Sequence, residues 1–96
     1  RSGVEPSDPV GAVGPMAEAD LELLDALENA IDYCLFGPLM TMVAAHVYPA
    51  NPNLAHQNMR MADINDDVLM SALEMVDAGW DTAGVLQEIY DACAIA

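Results

Sequence analysis

One stretch of this chain has a spacing suited to metal chemistry. Asp63, Asn65, Asp67, Ser71 and Glu74 place oxygen donors at the first, third, fifth, ninth and twelfth positions of a twelve-residue window, the pattern by which a calcium loop surrounds its ion. Met70 takes the apolar eighth position. The sixth position is Val68, where such a loop needs glycine for its sharp turn, and no second loop is available to pair with it. The same residues also suit a plainer reading, in which the Asp/Asn-rich segment caps a helix whose surface carries Ser71 and Glu74. Capping is the expectation, with a divergent calcium-binding regulator kept as an alternative.

The other candidate groups do not assemble into a reactive set. Cys34 and Cys93, the only cysteines, read as reduced apolar residues on helix faces, or as partners in a disulfide if the compartment is oxidising. His46 and His56 share no zinc spacing with them. His46 lies in an uncharged apolar segment and has the chemistry of a haem-iron ligand, but a satisfied core histidine is the expectation. Phosphate-binding glycine loops, nucleophile elbows and lysine are all missing from the sequence, so the signatures of phosphoryl transfer, acyl transfer and Schiff-base chemistry are missing with them. A protein that works without catalysis and without a cofactor is expected.

Charge narrows the partners. Sixteen acids face two arginines, a formal charge of −14 over 96 residues. Such a surface repels phosphate backbones and anionic headgroups, which excludes nucleic acid as a partner. A basic protein surface, bound cations or a high-salt setting would each suit it.

The elements that must position these groups are helical. From Pro15, which suits the first turn of a helix, the residues Leu24, Leu27, Ile31, Cys34 and Leu35 recur at helical spacing, with Leu23 and Ala30 widening the stripe. The first helix is expected to run to Gly37-Pro38. Pro38 to Tyr48 follows, with no charge anywhere between Tyr33 and Met59. As a helix this segment has no face for water, so it must be surrounded. It is divided by Gly37-Pro38 and interrupted by His46, and it lacks basic anchors, so a buried or interfacial helix is favoured over a membrane span. Asn53 to Ala62 forms a short helix containing Arg60, which should pair internally. Two final helices then form a hairpin. In the first, Val68, Leu69, Leu73 and Val76 face inward alongside Met70 and Met75; in the second, Val85, Leu86, Ile89, Tyr90 and Cys93 do so. Gly79 ends the first, Trp80 folds back, and Asp81 or Thr82 caps the second.

The fold class is therefore all-α: a bundle of four to five short helices around a central apolar helix, occupying 15–96 behind a flexible arm at 1–14. The apolar fraction is 54%, above the about 45–50% of ordinary domains even though glycine is not counted. Seven methionines add adaptable apolar surface. This excess points to a protein partner with a basic or apolar docking surface, met by Leu39, Met40, Met42, Val43, Val47, Met59, Met61 and Trp80; a second copy is another candidate. The expected function is a small acidic accessory or linker subunit of a larger assembly, an organellar respiratory or photosynthetic complex being one setting. The alternative is a docking or regulatory module from a longer multidomain protein. The first residue is Arg rather than Met, which suits either a processed organellar or secreted chain or an excised module.

Overall fold

The computed structural model describes residues 18–95, so the arm expected at 1–14 and the helix start expected at Pro15 lie outside the described residues. Five α-helices make up the described chain: α1 (Glu18–Tyr33), α2 (Gly37–Val47), α3 (Asn53–Asn58), α4 (Asp66–Asp77) and α5 (Thr82–Cys93), with a 3-10 turn at Met61–Asp63. The all-α bundle expected from periodicity is the fold observed. The one piece of β-type pairing among the described residues is an isolated antiparallel bridge between Met59 and Ala94. There the Arg60 N–H donates to the Cys93 carbonyl and the Ile95 N–H to that of Asn58, fastening the end of α5 to the segment after α3.

Helix α1 stops earlier than Gly37-Pro38. Cys34 takes a left-handed backbone, φ 55°, and its N–H donates to the Ala30 carbonyl at 3.1 Å. This is a left-handed helix cap with cysteine where glycine is usual. The early stop carries Cys34 and Leu35 to the surface. The buried face of α1 is Leu23, Ala26, Leu27 and Ala30, a stripe rotated from the one centred on Leu24, Leu27 and Ile31.

Helix α2 is enclosed by its own chain. It packs most extensively on α5, with α1 and α3 on its flanks. Leu39, Met40, Val43 and Ala44 are buried, and Met42 and Val47 pack against that core. The stripe left to solvent is Pro38, Thr41 and Ala45, which are small, so a helix without charges exposes little apolar area. Thr41 satisfies its hydroxyl by donating to the Gly37 carbonyl, 2.9 Å away. No described helix is long and apolar enough to cross a membrane.

The α4–α5 hairpin closes as the turn residues dictate. Gly79 has φ 94°; its N–H donates to the Val76 carbonyl, and the Trp80 N–H to that of Met75. Together these bonds form a Schellman cap, which needs a residue free of Cβ strain at the left-handed position. Asp81 then caps α5 by accepting from the Gly84 N–H at 2.8 Å. The Thr82 hydroxyl donates to the Asp20 carboxylate, tying the start of α5 to the first turn of α1.

Candidate docking groove

Residues 63–74 do not form a calcium loop. Helix begins at Asp66, so the backbone climbs steadily where a loop would have to turn round an ion. Val68 at the sixth position goes with this outcome, because a β-branched residue sits in a helix and not at a left-handed turn. Asn65 is the helix cap, its side chain accepting from the Val68 N–H at 3.1 Å. Asp63 receives the Arg60 guanidinium at 2.9 Å in an exposed ion pair. Among the described residues, no three His, Cys, Asp or Glu side chains gather to hold a metal ion.

The same sequence instead forms one wall of a groove. Asp67, Val68, Ser71, Ala72 and Met75 of α4 face Glu88, Ile89 and Ala92 of α5 across a depression of about 220 Å³. Its floor is Ala72 and Ile89, each only 1% exposed. The depression follows from side-chain size: Ser71 and Ala72 on one helix and Ala92 on the other leave a gap that longer residues would fill. Asp67 and Glu88 stand exposed at the rim. Glu74 follows Ser71 along the same side of α4, at helical spacing. Asp67 is near the positive end of the α4 dipole and is partly balanced by it, whereas Glu88 in mid-α5 has no such compensation. Small-molecule sites span about 300–1,000 Å³. This groove is smaller and suits one or two side chains of a larger partner.

The residues expected to meet a partner fall into two groups. Leu39, Met40, Val43 and Met59 are core, each 4% exposed or less, and Met42 and Val47 pack against them. Those on α2 are unavailable because α1, α3 and α5 already cover it, and Met59 is buried after α3, where it bridges to Ala94. Only Met61 (41%) and Trp80 (47%) remain exposed. Trp80 does fold back: its ring lies over Gly84, where a Cβ would come within 3.3 Å of it.

The two thiols occupy unlike places, and both are free. Cys34 is exposed in the α1–α2 connection, while Cys93 is buried on the inner face of α5. Burial pushes the Cys93 thiol above its ordinary pKa, with the Asp63 charge adding to the effect. Burial therefore works against thiolate formation at Cys93.

A second polar cluster sits where α2, α3 and α5 meet. Tyr48 and Tyr90 share a hydrogen bond between their hydroxyls, and the Asn58 amide donates to Tyr48 at 3.2 Å. His46 Nε2 lies 3.2 Å from the Gln87 side-chain oxygen, so this histidine is satisfied within the bundle. His56 is exposed. These groups hold helices together. Comparison with known protein families, curated proteins and solved structures finds no match to this chain.

Neither the groove nor the tyrosine tie is visible in the linear sequence. The nearest signal for the groove is the set Ser71, Ala72 and Ala92, small residues on two helices joined by a short turn.

Proposed function

We propose that this chain works without catalysis, as an acidic helical docking domain whose α4–α5 groove receives an apolar segment of a partner protein. The observation that carries the reading is the groove itself: an apolar floor of Ala72 and Ile89 beneath the acidic rim residues Asp67 and Glu88. Hydrophobic anchors seated in a small pocket inside a polar rim account for most of the energy at protein interfaces. The protein interaction expected from composition is kept, and its form moves from accessory subunit towards docking module. An accessory subunit would leave its apolar helix for the assembly to cover, whereas Leu39, Met40 and Val43 are enclosed within this chain.

Ser71→Trp tests the reading, because Ser71 is exposed and lines the groove without entering the core. The wild-type chain should bind an environment-sensitive apolar dye saturably at one site. Ser71→Trp should lose that binding while keeping its helical circular dichroism. Unchanged dye binding in the variant, or none in the wild type, would refute the groove as a docking site.

A further inference from the structure

We infer that the segment received by the α4–α5 groove is a basic amphipathic helix. The inference rests on the docking reading above and adds the chemistry of the partner. A groove between two α-helices offers no unpaired backbone for strand addition, since the helices satisfy their own peptide groups; side-chain ridges are its only means of contact. The complement to that surface is a third helix whose apolar ridge sits over Ala72 and Ile89, with small residues permitting close approach.

Charge selects among possible helices. The groove is edged by Asp67 and Glu88, and the whole chain carries sixteen acids against two arginines. Arg60, the one Lys or Arg among the described residues, is already engaged by Asp63, so no described Lys or Arg pairs with the rim carboxylates. A second copy of the chain would bring −14 against −14 and is disfavoured by repulsion. A helix with lysine or arginine flanking an apolar stripe would place its charges on the rim and its stripe on the floor.

The experiment is an amide-resolved NMR titration of the full chain with synthetic peptides. One peptide is an amphipathic leucine–lysine helix, the second a leucine–glutamine helix of the same pattern, and the third a scrambled leucine–lysine sequence of identical composition. The ordered basic helix should bind saturably, shift Val68, Met75 and Ala92 most, and weaken as salt rises. Glu88→Gln should weaken it by up to about fivefold, the scale of one exposed ion pair. Ser71→Trp should abolish the groove shifts. If the leucine–glutamine helix binds the groove equally well, the basic-partner inference falls and the docking reading stands. If scrambled and ordered basic peptides bind alike, or no peptide shifts the groove, both fall. Concentration-dependent shifts of the same residues without peptide would make a second copy the occupant and overturn the inference.

Discussion

The hydroxyls of Tyr48 and Tyr90 lie 2.8 Å apart, joining the end of α2 to the last turn of α5 between residues 42 positions apart in sequence. Their rings meet edge to face, with centroids 5.9 Å apart and planes at 74°. This contact pins the uncharged helix to the helix that forms half of the groove. It joins a hydrogen bond, a quadrupolar ring contact and the Asn58 amide at one half-buried point.

The tie should be visible in alkaline titration. The hydrogen bond to Tyr48 is the main reason the Tyr90 phenol is pushed above its ordinary pKa, followed by burial and then by the charges of Tyr48 and Asp91. With the folded-state value raised, the associated stability is complete below the ordinary phenol value near about pH 10 and is lost as pH rises through the raised value. Near-ultraviolet titration should find Tyr90 ionising late in the wild type and earlier in Tyr48→Phe. An unchanged Tyr90 titration in Tyr48→Phe would contradict the tie.

The start of α5 should show strong coupling between Asp81 and Gly84. A Cβ at Gly84 would sit 2.8 Å from the Asp81 carboxylate oxygen that caps the helix. Asp81→Ala should cost about 1 kcal/mol through loss of the cap. Gly84→Ala would otherwise gain up to about 1 kcal/mol in helix propensity, but in the wild type it should not stabilise, because the new methyl displaces the cap. In the Asp81→Ala background the same change should cost less, because only the Trp80 ring, 3.3 Å from the new methyl, is left to give way. Urea unfolding of the four proteins measures the cycle, and additive effects would rule the coupling out.

Burial separates residues that composition treats alike. Leu39 is fully buried and Met61 is 41% exposed. Leu39→Ala should cost about 3 kcal/mol, a large part of the roughly 5–15 kcal/mol that holds a domain folded. Met61→Ala should change stability by less than about 0.5 kcal/mol. Equal effects in thermal unfolding would mean that α2 is not enclosed as described.

The cysteines should differ in kind. Cys34, exposed and held at φ 55°, should react with a thiol reagent in the folded protein. Cys93, buried and with its thiol pKa raised, should react only on unfolding. Cys34→Gly should raise stability by up to about 1 kcal/mol, since glycine removes the left-handed strain but loosens the unfolded chain. Rapid labelling of both thiols in the native state would contradict these placements.

Punctuation was the most legible layer of this sequence. Gly79, Asp81 and Asn65 each act locally, through a positive φ or a cap within three residues, so their effects follow from short-range chemistry. That Arg60 would pair internally was legible from the excess of acids around it, while its partner, Asp63, came from the structure. The end of α1 was not legible, because Cys34 adopts a conformation usually left to glycine. The fate of α2 was illegible too: absence of charge shows that a helix needs cover, but not which chain supplies it. The groove depends on Ala72 facing Ala92, and the tie on Tyr48 meeting Tyr90; both are tertiary facts without a sequence period.

A docking domain that covers its own apolar helix must stand alone, and light scattering with circular dichroism in low salt tests this most directly. The account predicts a monodisperse, helical monomer of 10.2 kDa. Aggregation, or loss of helix unless detergent or another protein is added, would show that the core around Leu39 and Val43 is completed from outside, and would contradict it.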